Sequence, residues 1–125
     1  MCNQETSPHL PETLGQLLQK HWGFKELRPH QVGPVLGLCR GEHSLALMPT
    51  GGGKSLCFQL PALTRGGLCL VVTPLIALME DQCEVLRAKG IRAEAWVGNN
   101  GDRVLDNVRF GKTQFLYLSP ERLNH

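Results

Sequence analysis

Short apolar runs alternate along this chain with segments of helical spacing, and that alternation leaves few ways to fold. HSLALM at 43–48, LCLVV at 68–72, the stretch 91–97 and QFLYL at 114–118 each have the length and apolar content of a buried strand. Between them lie helix-length segments at 54–63 and at 75–89, the latter closed by Gly90, and a polar one at 102–110. Hairpins need only short turns, whereas strands separated by helices pair in parallel. The expected fold is therefore α/β, a parallel sheet with helices on both faces. Two further helices precede it. Leu14, Leu17, Leu18 and Trp22 recur at helical spacing and stop at Gly23, and Pro29 opens a second helix through Val35 and Leu38 to Gly41. Pro61 is expected to end or bend the helix that starts near Lys54. Residues 1–12 are polar and proline-bearing and read as a mobile lead, with 13–125 as the folded part.

Composition narrows the class without choosing a partner. With 125 residues and 42% of them hydrophobic, the chain can bury a core of its own. A formal charge of +2 is too mild to mark a nucleic-acid footprint by itself. No apolar run approaches the roughly 20 residues that cross a bilayer, and the polar lead is no secretory signal. Cys2, Cys39, Cys57, Cys69 and Cys83 form no C-x-x-C pair. An odd number so spaced suits a reducing interior better than a disulfide framework or a zinc site. The expected location is intracellular, in cytoplasm or nucleoid or in a nucleus.

The string Met48-Pro49-Thr50-Gly51-Gly52-Gly53-Lys54-Ser55 sits between an expected strand and an expected helix, the setting in which such a loop binds nucleotide. A triphosphate concentrates negative charge on closely spaced oxygens and needs many donors at hand. The glycines let consecutive backbone N–H groups turn toward a phosphate, and the helix that follows adds its own N-terminal donors. Lys54 would bridge β- and γ-phosphate oxygens, and Ser55 would hold Mg²⁺ through its hydroxyl. The general pattern G-x-x-x-x-G-K-[ST] has Gly where this chain has Met48, so the strict form is not matched. A glycine-rich surface turn before a helix that begins Lys-Ser is the structural alternative.

MPTGGGKSLCFQLPAL resembles the first helicase motif of the RecQ-type DNA helicases, a family that tolerates a residue other than Gly at the start of this motif. Three more segments resemble that family's motifs in its order: GFKELRPHQ the adenine-recognition motif, VVTPLIALMEDQ motif Ia, and FLYLSPERL motif Ib. The likeness runs from about Trp22 to Leu123. It implies a RecA-like first motor domain that binds ATP with Mg²⁺ and touches single-stranded and forked DNA, translocating 3′ to 5′. By the same resemblance Gln31 would hydrogen-bond the adenine edge, Phe24 would lie against the base, and Arg28 would support base or phosphates. Thr50, Gly51, Gly52, Gly53, Lys54 and Ser55 would hold the phosphates and metal. Thr73, Pro74 and Leu75 would face the DNA backbone, with Asp81 and Gln82 on the following helix, and Ser119 and Arg122 would donate to phosphates. Packing explains several of these residues equally well, since Phe24 and Leu27 suit a core and Leu75, Leu78, Met79, Gln82 and Leu86 share helical spacing. Leu27 replaces the family's usual Phe, His30 stands where Gly is common, and Gly98-Asn99-Asn100 replaces a Leu-Asn-Ser string.

Hydrolysis needs a carboxylate to fix Mg²⁺ and a residue to orient the attacking water. In RecQ-type helicases an Asp-Glu-x-His motif supplies these downstream of motif Ib, and no such string occurs in these 125 residues. Nor do they contain a second motor domain with its arginine finger, or the family's zinc-binding cysteines. The expectation is an amino-terminal part of a helicase motor that binds nucleotide at best weakly and does not turn it over alone. Strands such as FLYL are expected to lack neighbours and to promote aggregation. A noncatalytic nucleotide- or DNA-binding module is the alternative, and a P-loop kinase or GTPase a more distant one.

Overall fold

The computed structural model describes residues 12–45 and 53–124, and the chain divides into two units, Met1–Gly66 and Gly67–His125. The described part of the first is helical: α1 (Glu12–Trp22), α2 (Pro29–Cys39) and α3 (Lys54–Arg65). Leu14 and Leu18, one turn apart, bring α1 into a core with Val35 and Leu36 of α2 and Leu56, Cys57 and Leu60 of α3. Burying a leucine completely, as at Leu14, Leu18 and Leu60, favours folding by about 1.5–3 kcal/mol over leaving it in water. Pro29 takes the first position of α2, where its missing N–H costs nothing.

Four expectations for this unit are corrected or fall outside the described residues. Pro61 does not end α3, which runs on to Arg65; the proline ring is buried, so packing offsets the lost backbone bond. The apolar run 43–48 is no strand over its described residues, and Leu45 is 86% exposed. A strand requires a partner, and the described residues of this unit supply none. The rest of that run, the loop residues Met48, Pro49, Thr50, Gly51 and Gly52, and residues 1–11 of the expected lead lie outside the described residues. Glu12, expected in the lead, instead opens α1.

The second unit is α/β. Its elements are β1 (Cys69–Val72), α4 (Ile76–Ala88), β2 (Ala93–Ala95), α5 (Gly101–Arg109), β3 (Phe115–Leu118) and a 3₁₀ turn, Pro120–Asn124. The three strands form a parallel sheet in the order β1-β3-β2. From β1 to β2 the chain crosses over the place of β3, and from β2 to β3 it steps back. Right-handed crossovers in opposite directions put α4 and α5 on opposite faces. Side-chain alternation agrees. Leu116 and Leu118 meet Val104 of α5, with Trp96 and Val108 at the edge. Phe115 and Tyr117, in register with Ala93 and Ala95, point to the other face, where α4 packs on β2 and β3. Small residues at 93 and 95 let α4 come close enough for Arg87 Nε to donate to Ala93 O at 2.9 Å.

FLYL is therefore not short of neighbours. It is β3, the central strand, paired on both sides and buried at all four positions. Among the described residues the edges are β1 and β2; on β1, Leu70 and Val72 are 52% and 46% exposed on the face that carries α5. Glu94 sits on that face too, where its carboxylate accepts hydrogen bonds from Asn107 Nδ2 (3.0 Å) and Thr113 Oγ1 (3.1 Å). On α4 the buried positions are Met79, Cys83 and Leu86. Leu75 and Leu78, expected on the packed face, are exposed; the face runs through Cys83, which the apolar spacing had not included.

Candidate nucleotide and nucleic-acid sites

Four of the residues expected to bind nucleotide, Gln31, Gly53, Lys54 and Ser55, come together at the start of α3. Gly53 precedes the helix with φ +76° and ψ +38°, left-handed backbone that a glycine adopts without strain. A side chain there would also strike the Gln31 amide. Gln31 is buried on the first turn of α2. Its Oε1 accepts from Arg28 N at 2.9 Å and its Nε2 donates to Gly53 O at 3.3 Å. One amide thus caps α2 and ties it to the end of the glycine loop. Cys57 lies a turn into α3, its thiol 3.6 Å from the same carbonyl, and burial pushes that thiol's pKa up.

Lys54 and Ser55 are the first two residues of α3 and both are exposed. No side chain caps this helix start and its first turn holds no acidic residue. The opening N–H donors and the partial positive charge of the helix therefore face outward uncompensated by a carboxylate. Phe24 is half exposed and stands outside the core, whereas Leu27 packs against it, which separates two residues the sequence had left together. Arg28 is exposed at the N-terminal boundary of α2. The structure thus gathers Gln31, Gly53, Lys54 and Ser55; it leaves Phe24 and Arg28 on the surface before α2. Among the described residues no group of three or more His, Cys, Asp or Glu side chains is arranged to hold a metal.

In the second unit the residues expected to meet nucleic acid gather at the carboxyl ends of two adjacent strands. Val72 is in register with Leu118, and Thr73 N donates to Leu118 O at 3.0 Å. Thr73, Pro74 and Leu75 therefore leave the sheet beside Ser119 and Arg122. The Thr73 hydroxyl accepts from Leu75 N at 3.1 Å, holding a tight turn that leaves Leu75 56% exposed. Ser119 is buried. A hydrogen bond from its hydroxyl, then one from Glu121's own backbone, and the nearby Arg122 charge hold the Glu121 carboxyl below the usual carboxylate range. Ser119 acts as the cap of the 3₁₀ turn and would have to release Glu121 to meet a phosphate. Asp81 is exposed and Gln82 half-buried on α4.

Arg122 is better presented. Its Nη2 donates to Gly98 O at 3.0 Å, and its guanidinium carbon lies 5.3 Å from the centre of the Trp96 ring. Sequence reasoning singled out neither Trp96 nor Gly98 as a partner of Arg122. The available signal was an aromatic residue directly after a strand, next to the loop that departs from the family string.

A family model described as DEAD/DEAH box helicase matches residues 28–125. The probable ATP-dependent DNA helicase RecS of Bacillus subtilis (strain 168) is 39% identical over 115 residues, covering 88% of this chain and 23% of its own length. ATP-dependent DNA helicase RecQ of Synechocystis is 40% identical over 116 residues, covering 90% of this chain and 24% of the relative. ATP-dependent helicase wrn-1 of Caenorhabditis elegans is 38% identical over 120 residues, 93% of this chain and 11% of the relative. The chain spans at most about a quarter of the length of these curated relatives. With the match running from the residue before α2 to the last residue of the sequence, the chain belongs to the DEAD/DEAH box helicase family.

Proposed function

We propose that this chain carries the phosphate-binding part of a motor that uses ATP to unwind DNA in the 3′ to 5′ direction. The observation that carries the reading is the convergence of Gln31, Gly53, Lys54 and Ser55 on one helix N-terminus without an acidic residue in its first turn. That donor set fits a magnesium triphosphate: uncapped N–H groups, a lysine at the first helical position, a hydroxyl at the second, and a glycine where a side chain would obstruct. Lys54 binds β- and γ-phosphate oxygens, and Ser55 offers its hydroxyl to Mg²⁺. Thr50, Gly51, Gly52 and Gly53 contribute backbone donors. Gln31 turns its amide from Gly53 to the adenine edge, Phe24 covers the base, and Arg28 supports base or phosphates. Bound ATP supplies the phosphoanhydride whose cleavage drives movement along DNA.

The carboxylate and the water-orienting group for that cleavage are assigned to an Asp-Glu-x-His motif that these 125 residues do not contain. On this reading the chain from Glu12 onward is the amino-terminal part of a RecA-like motor domain. The isolated chain binds nucleotide without turning it over. Thr73, Pro74, Leu75 and Arg122, with Ser119 behind them, form the track for a single strand, and forked DNA is the substrate of the whole protein, inside the cell where DNA lies.

Lys54→Ala should abolish binding of a fluorescent ATP analogue to the 125-residue chain, and Gln31→Ala should weaken ATP much more than GTP. Equal weakening of both nucleotides by Gln31→Ala overturns adenine reading. DNA-stimulated ATP hydrolysis by the 125-residue chain, lost on Lys54→Ala, overturns the division of labour. Equal stimulation of the full-length protein by RNA and by DNA overturns the choice of nucleic acid.

A further inference from the structure

The place where the chain departs from its family's Leu-Asn-Ser string is built into a small scaffold around one arginine. Trp96 follows β2, and its backbone N–H extends the ladder by one bond to Tyr117 O at 2.8 Å. The indole packs at the edge of the cluster formed by Val104, Leu116 and Leu118. Its other edge lies on the first residue of α5, where a Cβ on Gly101 would come within 2.9 Å of Nε1. Any side chain at 101 would thus push the ring from its seat. The loop between is fixed as well. Asn100 Oδ1 accepts from Val97 N at 3.1 Å and Asn100 Nδ2 donates to Ala95 O at 3.0 Å. A rigid indole and a pinned Gly98 carbonyl therefore stand ready before Arg122 arrives from the far side of β3.

Arg122 uses both. Its guanidinium lies over the ring at 5.3 Å, inside the range for cation–π attraction, and Nη2 is held by Gly98 O at 3.0 Å. Among the described residues its Nε and Nη1 make no further hydrogen bond, so these donors stay available beside the carboxyl end of β2. An arginine on a free stem loses much rotamer freedom when it grips a phosphate; one already stacked and bonded loses less.

We infer that Trp96 is a positioning residue for nucleic-acid binding: it holds Arg122 at the carboxyl ends of β2 and β3 so that its remaining donors meet a phosphate of a single strand. The inference rests on the reading that Arg122 contacts DNA. It adds that this chain uses an indole and a glycine carbonyl to orient that contact.

The test is a double-mutant cycle in the full-length protein, with binding of a labelled single-stranded oligothymidylate read at several salt concentrations. Arg122→Ala should weaken binding and lower the salt slope by about one, as one phosphate contact is lost. Trp96→Leu, which leaves every charge in place, should weaken binding by about three- to tenfold at fixed salt, and in the Arg122→Ala background should have no effect. Trp96→Phe retains an aromatic face on the same cluster and should lose less, again only when Arg122 is present; it carries the test if the leucine variant does not fold. Loss of the same size with and without Arg122, or no loss from either Trp96 variant while Arg122→Ala binds weakly, overturns the positioning role. Unchanged binding by Arg122→Ala overturns the underlying assignment of Arg122 to DNA instead.

Discussion

Gly53 joins two requirements that no other amino acid meets together: left-handed backbone and room for the Gln31 amide. Replacing it by alanine should cost roughly 1–2 kcal/mol from backbone conformation alone, with a further loss as Gln31 is displaced, measurable by urea unfolding and by nucleotide titration. Cys83 offers a second check. It is fully buried, and burial first, opposed by the Arg87 charge and helped by the charges of Glu80 and Glu94, moves its pKa from 9.0 to about 11. An acid whose folded pKa is raised stabilises the fold fully below the unfolded value. That contribution should therefore be present below pH 9.0 and lost as pH rises toward about 11, and at neutral pH Cys83 should alkylate more slowly than half-buried Cys39, as mass spectrometry of iodoacetamide-treated protein would show. Glu121 has the opposite sign. Its lowered carboxyl favours the 3₁₀ turn above the ordinary value of 4.5, and the turn should loosen as pH falls through the lowered one, which Trp96 emission would report in a Trp22→Phe background. Lys54, Ser55 and Gln31 were legible as candidate site residues because motif spacing along the chain names them. Trp96 was not, because its meeting with Arg122 depends on which strand lies beside which.

At the level of elements, the five helices and three strands among the described residues follow the periodicities in the sequence. Helix starts and stops were readable from Pro29, Gly23 and Gly90, where the backbone itself signals the boundary. Strand lengths were harder. The apolar stretch 91–97 pairs only over Ala93–Ala95, since Asn100 captures Ala95 O and Val97 N and bends the chain away. The face of α4 was misjudged because Cys83 behaves as a small hydrophobe there and Leu78 does not. The helical core of the first unit supplies the corresponding prediction: Leu60→Ala, at a site with no exposure, should destabilise by about 2–5 kcal/mol, against little change for Leu45→Ala on the surface, both read from denaturant midpoints.

At the scale of the molecule, the sheet leaves one apolar strand partly uncovered. Leu68, Leu70 and Val72 are all more than 40% exposed, and among the described residues β1 has a neighbour on one side only. The 125-residue chain should self-associate through this edge, and Leu70→Lys should suppress light scattering at a given concentration with little effect on the unfolding midpoint. The sequence led to the same expectation for the wrong strand, because a linear pattern of apolar runs carries no information about lateral order. That order also sets a timetable for biosynthesis. β1 and β2 do not pair with each other, and β3, which joins them, is the last of these three strands to leave the ribosome. Until Phe115–Leu118 emerges, the two earlier strands have no hydrogen-bond partner in this sheet, and a nascent chain paused before that point should be open to proteases and chaperones along both.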